Sequence, residues 1–143
     1  MKVFELITAY GHPQILATHP TTLEVTKEKH VTSRGNCIIA TGASKAALDL
    51  SPAFKRLAAQ QEAQIVMTLF VGNQTVRITG RGNQGLTFTH ATDLVVRRSN
   101  YTCPRTLMVE ADKAAADLPR SIVEKLRIPG ALVLVRLMVE TKT

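Results

Sequence analysis

Two histidines in this chain stand in nearly the same sequence surroundings. His19 lies in the stretch ATHPTTLEV and His90 in FTHATDLVV, and each is followed two residues later by a threonine, Thr21 or Thr92. Imidazole changes its protonation near neutral pH, so it often serves as a catalytic acid or base, and it also binds metals. Side by side in one pocket, the two rings could act as an acid and base pair next to the threonine hydroxyls.

The alternation of side chains along a strand predicts that both rings point inward. His90 shares its predicted strand face with Leu86, Phe88, Leu94 and Val96, and His19 lies on the corresponding face of the first stretch. The opposite face of that stretch, which carries Thr22, Glu24 and Thr26, is predicted to meet water. An inward histidine must find hydrogen-bonding partners, so a purely structural role is the alternative. Because no carboxylate or cysteine recurs beside the histidines, neither a metal site nor a cofactor is predicted.

Four cations occur as two pairs, one pair in each half of the chain. Lys45 and Lys113 stand at the starts of two predicted helices, where free N–H groups favour an anion. An aspartate follows each lysine four residues later, in the less favourable order for a helical ion pair, which indicates another partner for the lysine. An arginine lies in the loop before the preceding strand. The residues predicted to bind an anionic ligand are Arg34, Lys45, Arg105 and Lys113; solvated or internally paired lysines are the alternative.

These residues belong to a longer internal repeat. Residues 15–28 and 86–99 are identical at five of fourteen positions, and SKAALDL (44–50) and DKAAADL (112–118) at five of seven. Chance identity of about 6% per position would give about one match in these blocks. We therefore predict an internal duplication with halves at approximately 2–72 and 74–143.

Each half reads as β-β-β-α-β. Predicted strands at 3–9 and 74–80 open the halves, the Thr-His-x-Thr strands follow, and helices are predicted at about 44–60 and 112–127. Ser44 and Asp112 are suitable helix N-caps, while Pro52 and Pro119 predict that each helix is short, broken or restarted. The predicted fold is α+β and predominantly β. It is a single domain, 1–143, in which two tandem repeats share one core of sandwich- or barrel-like sheets with two short helices.

Composition limits the classes of partner. The net charge of +7 favours polyanions, yet aromatic residues make up only 4% and do not interleave with the basic clusters as a base-stacking surface requires. No apolar run is long enough to cross a bilayer, so a cytoplasmic protein without a membrane partner is predicted. Two cysteines, Cys37 and Cys103, are too few for a disulfide scaffold and are predicted to be reduced; a disulfide or a reactive thiol is the alternative.

Six segments together resemble one known family. They are GHPQILATHPTTLEVTKE (11–28), TSRGNCII (32–39), ASKAALDL (43–50), THATDLVVRRS (89–99), CPRTL (103–107) and EADKAAADLP (110–119). The chain is similar in these segments to an archaeal family of uncharacterised proteins, domain of unknown function 371. The family usually has Asp where this chain has Asn36 and Ser44. The resemblance implies a compact, mainly β domain of an archaeal cytoplasm and brings no catalytic residues with it.

Three functional hypotheses follow. The first is a binding module for an anionic ligand, either RNA or a phosphate-bearing metabolite, at a pseudo-two-fold site between the halves. The second is a small hydrolase or isomerase that uses the paired histidines, so the sequence leaves open whether the protein is an enzyme. The third is an assembly subunit, a homo-oligomer in which exposed strand edges pair between chains.

Overall fold

Two four-stranded sheets and two short helices make up the protein. The computed structural model describes residues 1–142; the last residue of the predicted second half, Thr143, lies outside the described residues. The strands are β1 (Lys2–Tyr10), β2 (Thr22–Thr26), β3 (Ile38–Ala40), β4 (Gln64–Val71), β5 (Gln74–Arg81), β6 (Asp93–Arg97), β7 (Thr106–Met108) and β8 (Leu132–Glu140). The helices are α1 (Pro52–Ala58) and α2 (Arg120–Leu126), and a single 3₁₀ turn precedes each, at Ala47–Asp49 and Ala115–Asp117.

The strands form a long sheet and a short sheet. The long sheet has the order β1-β8-β4-β5 and is antiparallel throughout. The short sheet has the order β3-β2-β6-β7; its central pair is antiparallel, and each outer strand is parallel to its neighbour. The predicted α+β, predominantly β class is therefore confirmed, with two separate sheets of which neither closes on itself.

The elements follow the same order in both halves of the chain. Each half contributes three strands, a 3₁₀ turn, a helix and a last strand. The first strand of each half pairs with the last strand of the other half, β1 with β8 and β5 with β4. The two last strands, β4 and β8, also pair with each other at the centre of the long sheet. Both sheets are thus assembled from both halves. The common origin of the halves stays a prediction.

One hydrophobic core joins the sheets and the helices. Along β8 the inward residues Val133, Val135, Leu137 and Val139 are fully buried and alternate with more exposed ones, as a strand with one covered face requires. Phe54 of α1 meets Phe88 edge to face, with ring centroids 6.2 Å apart. Such aromatic pairs stabilise a core by about 1 kcal/mol beyond the area they bury.

The helices are shorter than the ranges 44–60 and 112–127. α1 starts at Pro52, where the fixed φ of proline suits a first turn, and the Ser51 hydroxyl caps it by accepting the N–H of Phe54. α2 likewise begins directly after Pro119. The predicted effect of the two prolines is confirmed. Each helix has seven residues, and no helix in the described chain is long and apolar enough to cross a membrane.

Ser44 and Asp112 are not helix caps, so that prediction is wrong. The Ser44 hydroxyl accepts the backbone N–H of Thr8, and the Asp112 carboxylate accepts that of Thr79, at 3.0 and 2.9 Å. Thr8 and Thr79 lie on β1 and β5, the edge strands of the long sheet. Both side chains therefore satisfy backbone donors at a sheet edge, where no neighbouring strand would do so.

The Thr-His-x-Thr stretches were predicted to be strands and are mostly not. The strands begin only after them, at Thr22 and Asp93. Ala17 and Phe88 have positive φ angles of 51° and 53°, which interrupt an extended chain and with it the simple alternation of faces.

Candidate functional site

Each predicted histidine completes a turn at the start of a strand. The Nδ1 atom of His19 accepts the backbone N–H groups of Thr21 and Thr22 at 3.2 and 3.1 Å, and His90 accepts those of Thr92 and Asp93 at 3.3 and 3.0 Å. These bonds satisfy backbone donors at the first residue of each strand and at the residue before it. Both rings are half-buried rather than inward, so the predicted burial is wrong and the structural alternative has direct support.

The structure does not bring the two histidines together. β2 and β6 run antiparallel, with Thr22 opposite Arg97 and Thr26 opposite Asp93. Thr22 and Asp93 therefore lie at opposite ends of this ladder, about 14 Å apart at about 3.4 Å per residue. His19 and His90 precede these opposite ends, with Thr21 and Thr92 beside them. Neither ring lines either of the two cavities described below, so these cavities give no support to a paired-histidine hydrolase or isomerase.

The two predicted lysines have partners inside the protein. Lys45 pairs with Glu5 at 3.5 Å, and Lys113 donates to the carbonyl of Arg77 at 2.9 Å. The aspartates that follow them turn back to accept the N–H groups at the start of each 3₁₀ turn and pair with Lys27 and Arg98 instead. The unfavourable Lys-to-Asp order is therefore explained without a ligand.

The two predicted arginines are not equivalent. Arg105 occupies the position that corresponds to Cys37, because the Cys37 carbonyl accepts the N–H of Glu24 and the Arg105 carbonyl accepts that of Val95. Arg34 is exposed in the loop before β3. The four predicted anion-binding residues therefore do not converge on one site.

Arg105 belongs to a cluster of charged side chains on the short sheet, in which Glu24 is buried while Asp93 and Arg105 are half-buried. Its Nη1 lies 3.1 Å from Asp93 and 3.7 Å from Glu24, and the Thr26 hydroxyl donates to Asp93 at 2.8 Å. We call Glu24, Asp93 and Arg105 the carboxylate cluster. Burial, and next the negative charge of Asp93, raise the pKa of Glu24 to about 7. The prediction that Glu24 and Thr26 meet water is wrong, since both are buried.

The two cysteines are free and differ in their surroundings. Burial would raise the pKa of Cys103, but hydrogen bonds from the Thr106 hydroxyl, the backbone N–H of Arg105 and the Arg97 guanidinium outweigh it and lower the pKa to about 7. Arg97 Nη2 lies 3.3 Å from the sulfur. Burial raises the pKa of Cys37 above its usual value of 9.0.

An open cleft lies at the end of β1. The cavity has a volume of about 610 Å³. We call it the basic cleft; its lining is Tyr10, Gly11, His12, Pro13, Lys29, His30, Thr41, Gly42, Pro129 and Gly130. The described lining thus has one lysine and two histidines and no carboxylate. That combination suits an anion.

Backbone contacts hold the cleft in shape. The N–H of His12 donates to the Leu126 carbonyl at 2.9 Å, and its Nδ1 accepts the N–H of Gln14 at 3.0 Å. Since Nδ1 is an acceptor here, Nε2 carries the proton and can donate to a ligand. Gly11 must lack a side chain, because a Cβ there would lie 2.5 Å from the carbonyl oxygen of Ile128.

The corresponding corner of the second half is built alike but charged differently. Asn83 takes the place of His12: its N–H donates to Ala58, and its side-chain oxygen accepts the N–H of Gly85 at 2.8 Å. There Glu110 stands where the cleft has Gly42, since their N–H groups make the same loop hydrogen bond, and Arg81 pairs with Glu110 at 3.9 Å. Only one of the two corners is therefore basic. The internal repeat does not indicate this corner, because asparagines stand at the positions that correspond to His12 and Lys29.

The chain is similar to proteins already described. Residues 7–140 match the family described as domain of unknown function (DUF371). Uncharacterized protein MJ0206 of Methanocaldococcus jannaschii is 44% identical over 122 residues, which cover 85% of this chain and 90% of that protein.

Proposed function

Since the chain belongs to the domain of unknown function (DUF371) family, whose description names no activity, we propose a function from its geometry: it is a binding module for an anionic ligand, RNA or a phosphate-bearing metabolite, held in the basic cleft. The observation that carries this proposal is a cavity of about 610 Å³ with Lys29, His12 and His30 in its described lining and no carboxylate. We also propose that it acts in the cytoplasm, where its two free thiols would stay reduced.

The chemistry of the cleft favours a doubly or singly charged oxyanion. Lys29 is exposed and supplies a full positive charge, while the Nε2–H of His12 donates a hydrogen bond in either protonation state of the ring. Hydrogen bonds between a charged donor and an oxyanion contribute about 1.5–3 kcal/mol each. The net charge of +7 adds a long-range attraction that raises the rate of encounter with an anion at low salt.

The second half provides matched substitutions for a test. Lys29→Asn and His12→Asn install the residues found at the corresponding positions, Asn100 and Asn83, so the fold accommodates them. An asparagine at position 12 keeps an oxygen that can accept the N–H of Gln14, as Asn83 does for Gly85. Its amide NH2 extends less far from the backbone than the imidazole Nε2–H and never carries a positive charge. Lys2→Asn is the control, because it removes one exposed lysine away from the cleft.

The experiment measures binding of pyrophosphate, adenosine monophosphate and a single-stranded RNA oligonucleotide by calorimetry at several salt concentrations. We expect Lys29→Asn and His12→Asn each to weaken binding about tenfold, and Lys2→Asn to have little effect. The slope of log affinity against log salt concentration is about −0.7 for each phosphate of single-stranded RNA that is neutralised. A slope that corresponds to several phosphates would therefore identify RNA as the ligand, and a slope that corresponds to a single phosphate would identify the small phosphate. Equal losses in all three variants, or no binding of any probe at low salt, would refute the proposal.

A further inference from the structure

A second cavity of about 400 Å³ opens on the other side of the turn between α2 and β8. We call it the apolar pocket; its lining is Phe70, Val71, Gly72, Lys125, Ile128, Ala131, Leu132 and Leu134. Two of these large apolar side chains are half exposed to water, Ile128 at 55% and Leu132 at 52%. Exposed apolar side chains gathered around a cavity mark a binding surface more often than singly scattered ones do.

The fold does not require apolar residues there, as the other half of the chain shows. Ala131 donates its N–H to the Ile128 carbonyl, and at the corresponding turn Ala63 donates to Gln60, both at 3.1 Å. Gln60 thus corresponds to Ile128, and by the same register Gln64 at the start of β4 corresponds to Leu132 at the start of β8. The same backbone positions carry polar glutamine side chains in the first half and branched apolar side chains in the second half.

The positively charged side chain of Lys125 lies at the wall of this pocket. Lys125 in the last turn of α2 approaches Gly72, where an added Cβ would lie 3.3 Å from the lysine Nζ. Lys125 is not paired with a carboxylate among the described residues. The corresponding residue in α1 is Leu57, so the cation is also particular to this corner. The Arg136 guanidinium stacks on the Phe70 ring at 5.4 Å and adds positive charge at the same edge.

We propose that the apolar pocket binds a free alkyl chain that ends in a carboxylate. The alkyl chain of the ligand lies between Phe70, Ile128 and Leu132, and its carboxylate pairs with the Lys125 ammonium. A cavity of about 400 Å³ lies within the size range of small-molecule sites. Apolar walls beside a lysine that forms no ion pair with the described residues select an amphipathic anion, independently of the ligand in the basic cleft.

The test uses decanoate below its micelle concentration and decanol as its neutral counterpart, with binding followed by protein NMR shifts. We expect saturable one-to-one binding of decanoate. Lys125→Leu takes its replacement from Leu57, and it is expected to weaken decanoate binding about tenfold while it leaves decanol binding unchanged. Ile128→Gln and Leu132→Gln take theirs from Gln60 and Gln64 and are expected to weaken both ligands.

Thermal melts of the same variants show whether each one folds. The proposal is overturned if decanoate does not saturate, or if Lys125→Leu weakens decanol and decanoate equally. It is also overturned if the protein forms dimers that Leu132→Gln dissociates while no decanoate binds, since the pocket then receives a second copy. Binding only to anionic lipid vesicles, without binding of free decanoate, contradicts it in favour of a membrane surface.

Discussion

Glu24 is a carboxylate that folding places where a negative charge is unfavourable. It is buried on the short sheet beside Asp93, and Arg105 lies 3.7 Å away and offsets only part of the cost. Alternation along the strand predicted that Glu24 meets water, because alternation does not show what covers the second face of a sheet. The sequence did identify His19 and His90 as recurring residues, but it did not reveal the positive φ angles of Ala17 and Phe88, two residues before each histidine.

The raised pKa of Glu24 has a consequence for stability. Because the folded state holds its proton up to about pH 7, whereas the ordinary carboxyl loses it near 4.5, the free energy of unfolding falls as pH rises through this window. Below pH 4.5 the contribution of protonated Glu24 to the free energy of unfolding is fully present, and above pH 7 it is lost. Glutamine cannot ionise, so it escapes this loss. We expect the free energy of unfolding of Glu24→Gln to rise relative to that of the parent between pH 5 and pH 8, by at most about 3 kcal/mol.

Urea unfolding of both proteins at several pH values measures this advantage. Glu28→Gln is the control, since Glu28 is an exposed carboxylate in the loop that follows the same strand. A difference between Glu24→Gln and the parent that does not change with pH would show that the carboxyl of Glu24 is ionised throughout.

At the scale of elements, the end of β1 is attached to the second half of the chain. The N–H of Gly11 donates to the Ala131 carbonyl, and the N–H of His12 donates to the Leu126 carbonyl at the end of α2. The number of strands and the proline-led helices followed from local sequence, because hydrophobic alternation and proline geometry act over a few residues. The swap of first and last strands between halves did not, since it depends on pairings far apart in sequence.

The close approach at Gly11 leads to a test by substitution. An added Cβ would lie 2.5 and 2.6 Å from the carbonyl oxygens of Ile128 and Leu126, which are backbone atoms that cannot move without shifting α2. We expect Gly11→Ala to lower the free energy of unfolding by more than about 2 kcal/mol.

Gly130→Ala is the matched control in the same cleft. Gly130 has φ of +73°, and no atom lies within 4 Å of an added Cβ, so only backbone strain of about 1 kcal/mol is expected. Chemical denaturation measures both variants. Equal losses of stability would mean that the contact between β1 and α2 yields easily.

At the scale of the whole molecule, the two halves have corresponding corners with the same backbone hydrogen bonds and different charged side chains. The first-half corner has His12 and Lys29, while the second-half corner has Asn83 and the Arg81–Glu110 ion pair. Composition indicated an anionic partner but could not locate it, because a net charge of +7 says nothing about which cations are already paired. Lys45 and Lys113 are paired internally, and Lys29 lies in the cleft.

The most direct measurement of the central claim is an NMR titration of the whole chain with inorganic phosphate and adenosine monophosphate, observed at the backbone amides. The two corners serve as each other's control, because they share their turn hydrogen bonds and differ in charge. The account predicts saturable shifts at His12, Lys29 and Gly42, with little change at Asn83 and Glu110. Equal shifts at both corners, or shifts spread over all exposed lysines and arginines, would contradict it.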